Sequence, residues 1–175
     1  RAQQRREAGN LRASLIELKN ALQKDPQSAT GRLLLGQVQI DLGDSVSAEI
    51  ELQRAKGLGA PRERVALLLG EAQLQLEKFE DLLRDLRVNE DLPAQTQAAV
   101  LALRARAHLG LGQIVLAEEA FRAALVQDEK CVDALVGLSR LALARGDTAQ
   151  GRELLTRAAG FWPRNRELGS EPHQA

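Results

Sequence analysis

The residues of this chain that could perform chemistry are few and widely spaced. Cys131 is the single cysteine, and the two histidines are His108 and His173. A cysteine nucleophile needs a base within hydrogen-bonding reach, whereas Cys131 begins a predicted helix and His108 is expected to pack against a neighbouring helix. No group of Cys and His residues has the spacing of a zinc site. The sequence therefore predicts no enzyme, no metal site and no cofactor.

Glycine spacing and net charge argue against two further ligand classes. Gly57-Leu58-Gly59 and Gly110-Leu111-Gly112 could belong to phosphate-binding loops, but such loops follow a strand and these do not. Lys and Arg total 24, as do Asp and Glu, whereas nucleic-acid and anionic-membrane binders usually carry a basic excess. No apolar run reaches the roughly 18 residues of a membrane span. We therefore expect no nucleic acid among the partners and no membrane contact by this stretch of chain.

The remaining polar candidates are Arg106 and Arg140, and their spacing indicates the elements that position them. They lie 34 residues apart, and a turn slot recurs along the chain at the same period of 34 or 35 residues. That slot holds Gly9, Gly43, Glu77, Gly112 and Gly146. Such a period is the signature of a helical repeat array. Each unit is a helix–turn–helix that buries its apolar face only by stacking on its neighbours.

Other residue types also recur at equivalent positions of the units, and each type has a physical reason. Small residues such as Ala48 and Ala117 let two helices approach closely, while leucines and Phe121 fill the space between them. Glycine tolerates the positive φ at a helix C-terminus. Prolines stand between units, where a helix must stop: Pro26, Pro61, Pro93 and Pro163. The pattern predicts helices near 11–24, 29–42, 45–57, 62–76, 79–89, 95–111, 114–127, 131–145 and 148–161, with residues 1–8 as the stump of an earlier helix.

With these slots the chain resembles the tetratricopeptide (TPR) repeat family over about residues 1–163. The resemblance lies in the small-residue and turn positions. The family's usual Trp and Tyr of the first helix are replaced here by Arg32 and Gln39, Ala66 and Gln73, and Leu101 and His108. The resemblance implies an all-α fold, a right-handed α-solenoid of stacked helix-turn-helix TPR repeats. It also implies a protein or peptide partner on the concave face.

The predicted organisation is a single TPR array over residues 1–163, followed by a polar tail over residues 164–175. The array divides into a partial repeat, 1–26, and the repeats 27–60, 61–95, 96–129 and 130–163. The third unit is the least regular, since Glu77 replaces the turn glycine and Leu82 and Asn89 replace small residues. Either the helices cross more widely there and repack around Phe79 and Leu86, or the array bends and changes the curvature of its groove.

A narrower resemblance is to the TPR lipoproteins of bacterial exosortase (PEP-CTERM) and exopolysaccharide systems. It rests on residues 14–22, SLIELKNAL, followed by Asp25-Pro26, on the Leu58-Gly59-Ala60-Pro61 link, and on Asp91-Leu92-Pro93. It implies a protein of the bacterial cell envelope, in the periplasm, whose lipidated N-terminus lies outside this stretch. A cytoplasmic location stays open.

Matching by register carries the TPR ligand-binding face onto four rows of residues in the first helices. Two rows are apolar and two are polar or mixed. The predicted groove comprises Leu33, Gln37, Ile40, Asp41, Leu67, Glu71, Leu74, Gln75, Arg106, Leu109, Val136, Arg140 and Leu143, with Ala102 in the first apolar row. Alternatively, the leucines only pack between neighbouring units and Glu71 pairs with Arg106 across the interface.

Two functions follow, depending on which surface is used. The first is a protein–protein interaction scaffold that captures a peptide or partner helix in the groove, with Arg106 and Arg140 holding carboxylates. The alternative is a structural spacer that uses its convex face or its ends, without a groove ligand. We also expect apolar surface near Leu141, Leu155 and Trp162 to be partly uncovered or to mediate self-association through the repeat ends, because arrays normally need a polar terminal cap.

Overall fold

The structure is a computed structural model that describes the backbone of residues 2–161 and the side chains of residues 9–161. Within residues 2–161 it contains helices and the turns between them, and no strand. The helices are α1 (Ala2–Lys24), α2 (Ala29–Asp41), α3 (Ser45–Gly57), α4 (Arg62–Gln75), α5 (Phe79–Asp85), α6 (Ala94–Gly110), α7 (Ile114–Gln127), α8 (Val132–Ala144) and α9 (Thr148–Phe161). The predicted all-α solenoid is confirmed.

The helices form two layers. The helices α2, α4, α6 and α8 each contact the next member of this set, and we call them the inner helices. The helices α1, α3, α5, α7 and α9 pack against inner helices but, within residues 2–161, not against one another; we call them the outer helices. Since the inner helices are the more closely spaced, the solenoid curves with the inner helices on its concave side.

Small residues sit where the two layers cross, as predicted. Ala48, Ala55, Ala117 and Ala124 are fully buried. At the crossing between α7 and α8, a Cβ placed on Gly137 would lie 2.2 Å from the Phe121 ring, so only glycine lets the ring approach this closely. The ring is fully buried there, and an aromatic side chain buries a large apolar area.

The predicted turn slot is confirmed at Gly43, Glu77, Gly112 and Gly146, which all have positive φ. Gly112 has φ +72° between α6 and α7, a left-handed conformation that ends the helix. Glu77 occupies the equivalent turn between α4 and α5 and adopts the same conformation, with φ 56°. An L-residue there costs about 1–2 kcal/mol relative to glycine. The third repeat therefore keeps the turn geometry of the others at an energetic cost.

The predicted break at Gly9 is wrong, because α1 continues through it from Ala2 to Lys24. Residues 2–8 consist of Ala, Gln, Arg and Glu, which favour helix. Adding one hydrogen bond per residue to an existing helix is favourable, and a single glycine costs only about 1 kcal/mol. Nothing lies within 4 Å of the Cβ position of Gly9, so no tertiary contact imposes a turn there.

The fifth helix is shorter than predicted. It ends at Asp85 instead of residue 89, and Leu86 has an extended backbone. The Arg104 guanidinium donates hydrogen bonds to the carbonyl oxygens of Leu83 and Leu86 at 2.7 and 2.8 Å. A side chain from α6 thus satisfies carbonyls that helix continuation would have used. Leu82 and Leu86 are buried with Phe79 packed beside them, which is the repacking that one of the two sequence-based interpretations required.

Candidate functional site

The candidate site lies on the concave side, on the exposed faces of the inner helices. Four side chains predicted for its apolar floor are instead buried. Leu33, Ile40, Leu74 and Ala102 belong to the hydrophobic core clusters between the helices. The prediction that they form an exposed floor is wrong, because consecutive inner helices pack closely enough to enclose these positions.

In the apolar row formed by Ile40, Leu74, Leu109 and Leu143, the exposure of the side chains increases along the array. Ile40 is 4% exposed and Leu74 is 9% exposed, Leu109 is half-buried, and Leu143 is 40% exposed. In the other apolar row, Leu67 and Val136 are half-buried. Apolar surface that a partner could contact on this side therefore concentrates in the late repeats.

The polar row formed by Gln37, Glu71, Arg106 and Arg140 contains an ion pair between neighbouring repeats. Arg106 on α6 donates to both carboxylate oxygens of Glu71 on α4, at 2.9 and 3.1 Å. The two-bond geometry orients both side chains, although both are partly solvated and such pairs add little to stability. The alternative in which Glu71 pairs with Arg106 is therefore realised, and this arginine is already occupied by a carboxylate.

The early polar residues are also engaged within the protein. The Gln37 amide donates to Asp41 at 3.3 Å, one turn along α2. Gln75 donates to the carbonyl oxygen of Ile40 at 3.3 Å and contacts the Ser45 hydroxyl. Gln75 thus joins α4 to the end of α2, and its role is the docking of two repeats.

Arg140 differs from the rest of the row. Its side chain is exposed on α8, and within residues 9–161 no carboxylate lies within ion-pair distance of it. Val136 and Leu143 lie one turn before and after it on α8. Part of the Leu143 side chain packs over Gly151 of α9, and the side chain is 40% exposed. We call these three residues, Val136, Arg140 and Leu143, the late groove patch. The structure places Arg106 on α6, the inner helix that contacts α8.

The histidine and the cysteine of the described segment lie far apart. The Cys131 thiol faces the Ala98 carbonyl at 4.0 Å, and Ala98 precedes His108 on α6 by 10 residues, about 15 Å along the axis. Burial raises the pKa of Cys131, which keeps it a thiol. His108 Nδ1 lies 2.6 Å from Gln113 Oε1. Among the described side chains, no three His, Cys, Asp or Glu residues gather where a metal could bind.

Sequence reasoning missed a set of clefts on the outer side. Each lies between two outer helices and has an inner helix as its floor. The α2 cleft has a volume of about 510 Å³ and is lined in part by Arg32 and Gln39. The α4 cleft, of about 760 Å³, is lined in part by Ala66 and Gln73. The α8 cleft, of about 280 Å³, has Ala142 in its lining. The available signal was the replacement of aromatic side chains by small or polar ones, which vacates volume that stays open where no neighbouring helix fills it.

The outer side also carries a cluster of charged side chains. Glu118 on α7 accepts hydrogen bonds from Arg145, at the end of α8, and from Arg122. These two arginines lower the pKa of Glu118 to about 2. The cluster links the fourth and fifth repeats beside the α8 cleft.

Comparison with known proteins agrees with this architecture. Two family models described as tetratricopeptide repeat match residues 5–72 and 102–166, which together make up more than half of the chain. The chain belongs to the tetratricopeptide repeat family, whose members are in general non-enzymatic scaffolds for protein partners. The residues between the two matches contain the short helix α5 and the segment that follows it.

One curated protein is similar to this chain in sequence, and two solved structures are similar to it in fold. Cellulose synthase 1 operon protein C of Komagataeibacter xylinus is 29% identical over 162 residues, which are 86% of this chain but 12% of that protein. The chain thus spans only about an eighth of the relative's length.

MamA from Desulfovibrio magneticus RS-1, residues 41 to the end, superposes with a TM-score of 0.65 at 19% identity, covering 91% of this chain and 89% of MamA. YrrB, described as a TPR protein with an unusual peptide-binding site, gives a TM-score of 0.53 at 20% identity, covering 93% of this chain and 84% of YrrB. At these identities the two structures establish the fold. In residues 2–161, none of the helices has the length and apolar character needed to cross a bilayer.

Proposed function

We propose that this TPR array is an interaction scaffold that captures an acidic, partly apolar peptide or partner segment at the late end of its concave groove. The exposed late groove patch carries the proposal. Arg140 offers a guanidinium without a carboxylate partner in the described structure, and Leu143 presents apolar surface one turn away. A carboxylate next to an aliphatic side chain would satisfy both.

The expected affinity is modest. The patch is small, Leu33, Ile40 and Leu74 are not available for contact, and a flexible ligand loses conformational entropy when it is ordered. Leu109 and Leu67, both half-buried, extend the apolar contact toward earlier repeats. Arg106 joins the site only when a ligand carboxylate competes with Glu71 for it.

We place the scaffold in a bacterial cell-envelope assembly for exopolysaccharide or protein sorting, with the periplasm as its compartment. The support is the similarity to an operon protein of bacterial cellulose synthesis, together with the resemblance to the exosortase-associated TPR lipoproteins. A comparison of cell fractions, with an antibody to this segment, tests the placement. Recovery with periplasmic or envelope fractions agrees with it, and recovery in the cytoplasm alone contradicts it.

The groove is tested by selecting peptides from a random display library on the intact chain and measuring their affinity by fluorescence anisotropy. We expect selected peptides to combine Asp or Glu with Leu, Ile or Phe. Arg140→Glu should then weaken binding by about tenfold or more, the loss of one charge-assisted contact. Arg152→Glu is the matched control, because Arg152 is exposed on the outer helix α9.

A second variant separates the roles of the two arginines. Glu71→Gln removes the carboxylate that occupies Arg106 while keeping the shape of the side chain. If Arg106 contributes to the groove, acidic peptides should bind this variant more tightly than the parent. Equal binding by the parent, Arg140→Glu and Arg152→Glu, with helix content unchanged by circular dichroism, contradicts the groove site.

The spacer function is the alternative, and one observation favours it. Leu155 and Phe161 are exposed on α9, the last described helix, whereas Leu141 is buried and Trp162 lies outside the described residues. An exposed apolar face at the end of an array suits stacking on another copy or repeat. Sedimentation over a range of concentrations tests this: reversible association that Leu155→Glu abolishes favours the spacer, and a monomer at all concentrations argues against end-to-end stacking.

A further inference from the structure

The α4 cleft is the largest opening described above, and its position follows from two local features of the third repeat. Ala66 occupies a slot that holds the longer side chains Arg32, Leu101 and Leu135 in the other repeats. In addition, α5 has 7 residues, whereas the outer helix α7 has 14. The missing side chain and the missing turns together uncover the outer face of α4.

The cleft combines an apolar floor with polar groups, among them the buried Gln73 side chain, and its volume suits a large side chain. Val65 and Leu86 are buried at its floor, and Ala66 and Leu69 are half-buried. Its volume of about 760 Å³ lies within the range of roughly 300–1,000 Å³ found for ligand pockets. An aromatic side chain removes the most apolar area from water in such a space.

The rim of the cleft carries an excess of positive charge. Lys56, at the end of α3, and Arg62, at the start of α4, are exposed at the mouth and form no ion pair within the described part of the chain. Among the described residues that line the cleft, Asp85 is the only carboxylate. It is bound by Arg84 at 2.9 Å and by the Gln73 amide at 3.3 Å. Lys56 also acts on the Asp85 carboxylate from a longer distance, without an ion pair, so the cation of the rim that an incoming anion meets most freely is Arg62, with Lys56 beside it.

We propose that the α4 cleft is a second binding site, separate from the groove, for an aromatic side chain of an acidic partner segment. The aromatic ring would lie over Ala66 and Leu69, and a neighbouring carboxylate would face Lys56 and Arg62. The chain's own aromatic pair, Phe161-Trp162, is flanked by Arg157 and Arg164. These two arginines would be repelled by Lys56 and Arg62 at the rim, so a second copy docking through this aromatic pair is not the occupant.

The test uses N-acetyl-tryptophan, which carries a carboxylate, and N-acetyl-tryptophan amide, which does not. Each is titrated into the ¹⁵N-labelled full chain while amide chemical shifts are recorded. We expect saturable shifts at Ala66, Leu69 and Gln73, with a Kd on the order of 1 mM for so small a probe. The amide should bind about threefold to tenfold more weakly, and added salt should remove that difference.

Two variants make the result decisive. Ala66→Trp fills the cleft from within and should abolish the shifts, whereas Ala149→Trp, which adds an indole at an exposed position on α9, should leave them unchanged. Lys56→Glu with Arg62→Glu should remove the preference for the carboxylate probe and retain weak binding of the amide, a result that does not depend on whether Ala66→Trp folds.

Three outcomes would overturn the proposal. The first is binding that persists in folded Ala66→Trp, and the second is a set of shifts that maps to Arg140 and Leu143 instead. The third is a change of the Ala66 and Gln73 resonances on dilution without any probe, which would identify a second copy as the occupant. Because the groove variant Arg140→Glu and its control Arg152→Glu both leave this cleft intact, failure here is distinguishable from failure of the groove site.

Discussion

The third and fourth repeats of this array share a register but differ in how completely they are filled. In the fourth repeat, α6 and α7 join through a glycine turn, and Phe121 is fully buried against Gly137. In the third, a glutamate takes the turn, α5 stops after 7 residues, and a cleft opens over α4. The comparison indicates that a repeat can lose half an outer helix and still stack, provided that its inner helix and turn geometry are kept.

The shortening of α5 changes the neighbouring repeat only locally, and the change is seen at Arg104. In the other repeats its slot on the inner helix holds Leu35, Leu69 or Leu138. As an arginine it reaches the carbonyl oxygens at the end of α5, and desolvation there lowers its pKa. A polar side chain from the regular repeat thus compensates for the helix that the irregular repeat lacks.

The largest expected contrast between the two repeats is in their central apolar slot. Phe121→Ala should destabilise the chain by about 3–5 kcal/mol, since a fully buried ring leaves a cavity. Leu86→Ala in the equivalent slot should cost less, about 2 kcal/mol, because Leu86 borders a cleft that water can enter. Urea unfolding of both variants measures this, and equal losses would mean that the third repeat is packed as tightly as the fourth.

The next contrast concerns the helix crossing. Ala117 is fully buried where α6 and α7 cross, and the same slot of the third repeat holds Leu82. Ala117→Leu therefore places the residue of the third repeat in the fourth, and overpacking should cost about 1–3 kcal/mol. Thermal unfolding with an unchanged melting temperature would show that the crossing is not tight.

Exchanging the turn residues should have a smaller effect of opposite sign in the two repeats. Glu77→Gly should stabilise the chain by about 1 kcal/mol, because it relieves a left-handed residue at φ 56°. Gly112→Glu should destabilise it by a similar amount at φ +72°. Denaturant midpoints measure both, and a loss of stability in Glu77→Gly would mean that the glutamate side chain contributes more than its backbone conformation costs.

The smallest expected effect is a pH dependence in the fourth repeat. Arg145 and Arg122 lower the pKa of Glu118 from 4.5 to about 2. Since the folded-state pKa lies below the unfolded value, the stabilisation is present above about pH 4.5 and is lost as the pH falls toward about 2. Both arginines are more than half exposed, so solvent screening should keep this effect below that of the turn substitutions.

Acid unfolding of the parent and of Glu118→Gln measures this dependence. The variant should lose less stability between about pH 4.5 and 2 than the parent does. The slot of Glu118 holds Leu83 in the third repeat, so Leu83→Gln is a control for a glutamine at that position. Identical acid profiles for the parent and Glu118→Gln would show that the cluster does not stabilise the fold.

The sequence predicted the periodic parts of the fold well. The helices α2, α3 and α7 lie within a residue of their predicted bounds, because glycine turns, small crossing residues and apolar spacing all favour the same solution. It failed where one of these signals was absent. Gly9 looked like a turn only by register, and the end of α5 depends on Arg104, whose partners are 18 and 21 residues away in sequence.

The candidate site was harder to predict than the fold. Register alone located the concave helix faces, but it could not separate Ile40, which is buried, from Leu143, which is exposed in an equivalent slot. The difference arises from what packs against each position. The outer clefts were missed for a related reason: replaced aromatic slots indicate lost volume, and whether that volume stays open depends on the neighbouring helix. The proposed domain limits remain predictions.

The central claim is that partners contact the late end of the concave groove, and site-specific photo-crosslinking tests it most directly. A benzoylphenylalanine replaces Ala144, which is exposed beside Leu143 at the end of α8, or Ala149, which is exposed on the outer helix α9. A library-selected acidic peptide should crosslink efficiently from position 144, and excess unlabelled peptide should suppress the product, whereas position 149 should give little. Equal yields from both positions, or a higher yield from position 149, would contradict the account.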